Sequence, residues 1–301
     1  MTESKRRRVH SPECKAGVGL PSSTMQATEF NLSISTIPVS VVIPCYRHEE
    51  LLERAIASVA NQNSLPMELI VVNDGGGDEV ARVVRKLQQR FGTNWIAILT
   101  LPINVGAGEA RNAGWAVARG EYVAFLDADD AWHPRKLEIQ YKFMKDHPDV
   151  VVSGHRHRQE NTQVVWDDYE LTDRYTEVSL ARLLIANQFT TPSAMVKRCL
   201  VIRFAAKQRF MEDFRLWLTV VQRGGRVVKL DAELACIFKE PFGASGLSAK
   251  MLSMEIGELQ TYWATCKETP AMVPAMLLFA PYSLLKFLRR CCLRWFRSID
   301  A

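Results

Sequence analysis

The 301-residue sequence predicts an α/β fold: a mostly parallel central sheet with helices on both faces, followed by a helical C-terminal tail. Three observations carry that prediction. Short β-branched runs alternate with amphipathic stretches from residue 38 to 150, at the spacing of βαβ units. The runs end in polar or glycine-rich turns, where open parallel sheets gather their ligands. Near the end of the chain this alternation gives way to one long apolar stretch that becomes strongly basic.

The elements follow in order. "PVSVVIPCY" (38–46) reads as a buried strand, and "EELLERAIASVANQ" (49–62) sets Leu52, Ala55, Ile56, Val59 and Ala60 on one helical stripe. "MELIVVNDGGGD" (67–78) is a strand that breaks into a glycine turn. A polar helix over 79–91 leads to a third strand, "WIAILTL" (95–101). "GAGEARNAGWAVARG" (106–120) is a helix with Gly120 as its expected C-cap, and "EYVAFLDADD" (121–130) is a fourth strand. "HPRKLEIQYKFMKDHP" (133–148) is a helix with Pro134 in its first turn. Beyond residue 150 the alternation loosens. "VVVSGHRH" (150–157) is a strand, "TPSAMVKR" (191–198) a candidate strand, "EDFRLWLTVVQRGG" (212–225) a helix, and "RVVKLDAELACIFK" (226–239) one or two closing strands. Right-handed crossovers would bring the strand-end residues Asn73, Asp74, Asn104, Asp127 and Asp129 to one cleft.

Composition narrows the function classes. The net charge of +5 is concentrated in Lys286, Arg289, Arg290, Arg294 and Arg297, so the body lacks the even basic surface of a nucleic-acid binder. Seven cysteines without a C-x-x-C pair argue against a disulfide framework or zinc site and for a reducing compartment. Residues 1–37 are rich in Ser, Thr, Pro and Gly without periodicity and read as disordered. Lys5 to Arg8 is not followed by the apolar stretch of a secretory signal. The expected organisation is a disordered segment over 1–37, an α/β domain over 38–245 and a helical tail over 246–301.

Four groups carry chemistry. Asp127 and Asp129 stand two apart at an expected strand end, so both side chains would face one way and reach one cation. Like charges this close need a positive partner, and Mg²⁺ or Mn²⁺ held between carboxylates and a diphosphate supplies one. Asp74 before Gly75 is either a turn-forming residue or an acceptor for a base N–H. "NVGAGEARNAG" (104–114) opens a helix whose free N–H groups suit phosphate, and Arg111 adds a guanidinium. Glu212 and Asp213 begin a helix, where acids stabilise the dipole or supply a general base. His155 and His157 lack a nearby third ligand and read as surface or acceptor-loop residues. Thr191 and Ser193 either line a sugar pocket or form a turn.

The series "VVIPCY", "ELIVVNDGGGD", "NVGAGEARNAG", "YVAFLDADD" and "EDFRLW", in this order over residues 38 to 240, resembles the inverting family 2 glycosyltransferases of the GT-A, Rossmann-like fold. The resemblance implies a nucleotide-sugar donor, typically UDP-linked, and a divalent cation, Mg²⁺ or Mn²⁺. It implies that Asp74 reads the base with Pro44 and Tyr46, and that Arg111 borders the donor. It also implies that Asp127 meets the ribose or sugar, that Asp129 meets the metal, and that Asp213, beside Glu212, is the general base. Where relatives carry Arg-x-His after the closing strand, this sequence has "CIFKEPFGASGLS" with no histidine. Lys239 is therefore the candidate for facing the diphosphate. A catalytically degenerate domain serving as a binding or assembly partner is the alternative reading.

The tail "AMVPAMLLFAPYSLLKFLRRCCLRWF" (271–296) barely reaches spanning length and is interrupted by Pro274 and Pro281. It is expected to lie on a membrane through 271–297, with apolar side chains in the lipid and basic ones at anionic headgroups. Packing on the catalytic domain or a dimer partner is the other reading. A membrane-facing enzyme implies a saccharide acceptor linked to lipid, and a cytoplasmic location at the inner face of the membrane.

Overall fold

The computed structural model describes residues 36–47, 49–92, 94–160, 164, 166, 174–238 and 251–297. The segment expected to be disordered lies outside these residues, except for Thr36 and Ile37, which open the first strand. In chain order the first half comprises β1 (Thr36–Cys45), α1 (Glu49–Ala60), β2 (Leu65–Asp74), α2 (Asp78–Phe91), β3 (Ile96–Leu101), α3 (Ala107–Val117) and β4 (Tyr122–Phe125). The second half runs β5 (Ala131–Trp132), α4 (Lys136–Asp146), β6 (Val150–Gln159), β7 (Tyr175–Glu177), α5 (Leu180–Ile185), β8 (Met195–Lys197), α6 (Glu212–Gln222) and β9 (Arg226–Ile237). Two helices, α7 (Met251–Glu268) and α8 (Val273–Arg297), form the tail.

The strands build one sheet in the order β3-β2-β1-β4-β8-β6-β9-β5, with β7 paired to β9. Its first half, β3-β2-β1-β4, is wholly parallel, as the βαβ spacing requires. Beyond β4 the directions mix: β8 runs antiparallel to both β4 and β6, while β6 and β9 are parallel. Strand β1 explains why its sequence shows no alternation. Val41 and Ile43 enter a core with Leu52, Ile56 and Leu87, whereas Val42 enters the opposite core with Ala110, Trp115 and Phe214. Both faces are covered, so every position favours an apolar side chain, and each such residue contributes about 1.5–3 kcal/mol on burial. Helix α3 lies directly on the sheet: a Cβ at Gly114 would sit 2.5 Å from Val42 Cγ1.

Local details depart from the sequence expectations. Helix α3 ends at Val117 with Ala118 extended, not at Gly120. Gly120 instead makes room for β1, since a Cβ there would stand 2.7 Å from the Ser40 amide. Helix α4 begins at Lys136, two residues past Pro134. The α4 start is held from a distance: Gln62 accepts from the Leu137 amide at 2.9 Å and donates to the His133 carbonyl at 2.8 Å. Strand β4 stops at Phe125, before the aspartates.

The tail helices pair through buried charge. Glu255 of α7 accepts from Ser283 at 2.9 Å and from Arg290 at 3.0 Å; Glu258 accepts from Lys286 and from Tyr262, each at 2.8 Å. Burial alone would raise the Glu258 carboxyl, but the Lys286 ammonium and the Tyr262 hydroxyl hold it below its usual range. Of Lys286, Arg289 and Arg290, only Arg289 is exposed; Lys286 and Arg290 turn to α7. The outward face of α8 is apolar, with Leu277, Leu278, Tyr282, Leu285 and Leu288 open to solvent. Pro281 lies within the helix on that same face. Pro270–Cys292 is long and apolar enough to cross a membrane by length and composition.

Candidate active site

The acidic turn follows β4 directly. Leu126 keeps a last bond to the Val42 carbonyl at 3.1 Å, and then the Asp130 amide folds back to the Asp127 carbonyl at 3.1 Å. Asp127, Asp129 and Asp130 converge through this turn and not through strand alternation. They offer carboxylate oxygens within 4.8 Å of one another. Opposite oxygens on an octahedral Mg²⁺ stand ~4 Å apart, so this hard, oxygen-only donor set fits a divalent cation. Arg54 donates to the Asp129 carbonyl and its guanidinium stacks 3.6 Å from the Phe238 ring centre, fixing the turn from below.

Arg111 is the centre of the site. It projects from α3, is 3% exposed, and donates through Nη2 to Asp127 Oδ1 at 2.6 Å and through Nη1 to Glu212 Oε1 at 3.0 Å. Phe204 lies 5.5 Å from its guanidinium carbon. Burial opposes the charge, but Asp127 and Glu212 more than offset it and the pKa rises above its ordinary value. The guanidinium therefore stays charged and ties the acidic turn to the first turn of α6.

The α6 start is set by backbone conformation. Met211 adopts φ +58°, ψ +26°, a left-handed geometry uncommon for a side chain of its kind. Gln208 stabilises it by donating to the Phe210 and Met211 carbonyls at 3.0 and 3.2 Å. Asp213 then accepts from the Phe214 amide at 2.6 Å, from Asn187 at 3.2 Å and from Thr191 at 3.3 Å. Burial raises the Asp213 carboxyl above its ordinary value, although these donors and Arg111 pull the other way. Glu212 is raised by burial and by Asp213, against the pull of Arg111. The two adjacent acids thus differ in role: Glu212 is committed to Arg111, while Asp213 is a carboxylate with elevated basicity.

Asp74 occupies a different position from a free base-reading group. Its carboxylate is 2% exposed and accepts from the Val105 amide at 2.8 Å, the Gly106 amide at 3.0 Å and Asn104 at 3.0 Å. It pins the loop entering α3 onto the end of β2. Gly75 at φ +70° makes this approach feasible, because a Cβ there would lie 2.5 Å from the Asn104 amide. Asn73 closes the same turn, accepting from Gly76 and donating to Gly77, both at 2.8 Å. Pro44 and Cys45 end β1 beside Val72 and Asn73, and the exposed Tyr46 carries Arg47 5.0 Å from its ring. Lys239 and the rest of "KEPFGASGLS" lie outside the described residues.

Sequence reasoning missed several participants. Asn187, which steadies Asp213, sits in an aperiodic polar loop without a motif. Arg54 looked like an ordinary helix arginine. Lys136 is fully buried with no hydrogen-bond partner among the described residues, its Nζ 3.7 Å over Trp132, and burial pushes its pKa well down. His155 is buried as well, lowered by burial and by Lys136, with Nδ1 2.7 Å from the Arg156 carbonyl. His155 and His157 do not form a metal pair: His157 faces a pocket and His155 does not.

Comparison with known proteins completes the description. The family model "Glycosyl transferase family 2" matches residues 40–210. An uncharacterised glycosyltransferase of Nostoc is 43% identical over 100 residues, 33% of this chain and 30% of that protein. The UDP-Glc:alpha-D-GlcNAc-diphosphoundecaprenol beta-1,3-glucosyltransferase of Escherichia coli is 28% identical over 196 residues, 61% of this chain and 70% of that protein. Among solved structures, a mannosyltransferase of Pyrobaculum calidifontis in complex with GDP-Man and Mn²⁺ superposes with a TM-score of 0.61 at 18% identity, over 86% of this chain and 77% of its own. The matched region thus spans from under a third to just over two thirds of these relatives' lengths.

Proposed function

Because the chain belongs to glycosyl transferase family 2, we propose that it transfers a sugar from a nucleotide-sugar donor, a UDP-sugar, to a hydroxyl of a lipid-linked saccharide with inversion. One observation carries the reading. The acidic turn and the Glu212–Asp213 pair are held by a single buried guanidinium, so donor-side and acceptor-side acids share one site. The Escherichia coli relative acts on a diphosphoundecaprenol-linked sugar, and the Pyrobaculum structure holds a nucleotide sugar with Mn²⁺, which supports both halves of the assignment.

In this mechanism the acceptor hydroxyl attacks the anomeric carbon from the face opposite the phosphate. A new carbon–oxygen bond forms, the sugar–phosphate bond breaks, and Asp213 takes the hydroxyl proton. Asn187, Thr191 and the Phe214 amide orient that carboxylate and leave its raised basicity available. Arg111 holds Glu212 at 3.0 Å and opposes the rise that burial imposes on its carboxyl, so the base accepts its proton beside a fixed cation. Asp129, with Asp127 and Asp130, would hold a divalent cation, which when bound supplies charge stabilisation to the leaving diphosphate. Asp74 shapes the base pocket through the 104–106 loop, with Pro44 and Tyr46 alongside; Lys239 is the proposed partner of the diphosphate.

The exposed apolar row of α8 rests in the bilayer interface at the inner face of the cytoplasmic membrane. Lys286 and Arg290 are spent on α7, so this contact is mainly hydrophobic, unlike a polybasic anchor. The test is nucleotide release from UDP-sugars with Mn²⁺ and a lipid-linked acceptor. Release that persists unchanged in Asp213→Asn would refute the proposed base.

A further inference from the structure

A pocket of about 270 Å³ is lined by Arg156, His157 and Lys229 on the sheet and by Asn187, Phe189 and Thr190 on the loop after α5. Its floor is the Phe189 ring packed on Gly154, where a Cβ would meet the ring at 2.2 Å. Its wall is shared with the candidate base, since Asn187 Nδ2 donates to Asp213 Oδ2. Two polar atoms of this wall are buried without a hydrogen-bond partner among the described residues: Asn187 Oδ1 and Thr190 Oγ1. Such atoms cost free energy unless something else supplies the missing bond. The three ionisable residues of the lining are all basic. Arg156 is already spent, on Asp231 at 2.7 Å and Glu233 at 2.8 Å. Lys229 has no carboxylate at ion-pairing distance among the described residues. Burial and the neighbouring Arg156 lower its pKa, a cost that an incoming anion would offset.

Resting on the transferase reading above, we propose that this pocket is an acceptor subsite for a sugar unit bearing an anionic substituent. Lys229 and His157 meet the anion, while the Asn187, Phe189 and Thr190 side of the lining receives the sugar ring. A carboxylate on the ring and a phosphate ester on it share this chemistry. The position fits the reaction, because Asn187 both lines this pocket and donates to Asp213.

Binding of glucuronate, glucose 1-phosphate, glucose and inorganic phosphate to the full chain, followed by titration of protein NMR signals, tests this. At least one charged sugar is expected to bind ~tenfold or more tightly than glucose, a difference of about 1.4 kcal/mol; which one wins identifies the substituent. Lys229→Met is expected to erase the preference and Lys229→Arg to keep it, with folding of both checked by melting temperature. Glucose binding as tightly as both charged sugars, or an undiminished preference in Lys229→Met, overturns the proposal. Inorganic phosphate matching glucose 1-phosphate overturns its saccharide half. Nucleotide release from UDP-sugars by the wild-type chain is measured separately, so absence of transferase chemistry is told apart from absence of this subsite.

Discussion

Arg111 Nη1 stands 3.0 Å from Glu212 Oε1, joining residues 101 positions apart beneath the candidate reaction centre. The same guanidinium holds Asp127, so removing it strands the buried Glu212 carboxylate and takes a partner from the partly exposed Asp127. Arg111→Met is expected to destabilise the protein by about 3–5 kcal/mol, read as a fall in the urea midpoint. Adding Glu212→Gln should restore part of the loss, because one uncompensated charge is then gone.

Asp213→Asn is expected to lower turnover by ~10²–10⁴-fold with the fold intact. The raised carboxyl also sets a pH dependence. A base works only when deprotonated, so the acid limb of kcat/KM should fall at a pH above the ordinary aspartate value near 3.9. For stability the sign is opposite. A carboxyl whose folded pKa is raised above the unfolded one penalises the fold above the folded pKa, and that penalty fades as pH drops to the unfolded value.

Mn²⁺ with UDP is expected to raise the melting temperature of the wild-type chain, since a ligand selective for the folded state adds RT ln(1 + [L]/Kd), ~2.7 kcal/mol at a hundredfold excess over Kd. Asp129→Ala should abolish the Mn²⁺-dependent part of this shift. A full Mn²⁺ shift in that variant would remove Asp129 from the metal assignment.

Lys136→Met is expected to stabilise the protein at pH 7 by about 1–3 kcal/mol, less the lost stacking on Trp132. The lysine's folded pKa lies well below its ordinary value. Burying the cation therefore penalises the fold below that folded pKa, and the penalty vanishes as pH rises to the unfolded value near 10.4. Melts of both proteins from pH 7 to 10 should converge.

Leu277→Glu with Leu285→Glu is expected to reduce sedimentation with phospholipid vesicles while leaving the melting temperature within a few degrees, because both side chains are exposed. Changing the vesicles from anionic to neutral lipid should matter less than this substitution, given that Lys286 and Arg290 are engaged by α7.

The parallel half of the sheet was legible because β1, β2 and β4 are buried on both sides, and the two polar residues early in β1 and β2, Ser40 and Glu68, satisfy each other at 2.7 Å. Asp127 and Asp129 stand out in the sequence because neighbouring acids are costly without a shared partner, and Asp213 because it opens a helix beside Glu212. The reason first given for the aspartates failed: a four-residue strand ends too soon, and it is the turn that gathers them. Asp74 could not be read from its glycines, since its partners lie about thirty positions away. The α4 start and the support of Asp213 depend on Gln62 and Asn187, single side chains acting across the fold. Neither leaves a periodic or compositional trace in the sequence.

Helix α5 is pegged to the tail hairpin at two points: Tyr262 donates to the Leu184 carbonyl and Lys286 to the Ile185 carbonyl, each at 3.2 Å. The loop leaving α5 carries Asn187, the donor to Asp213, so a displacement of α8 is transmitted through α5 to the side chain that orients this carboxylate.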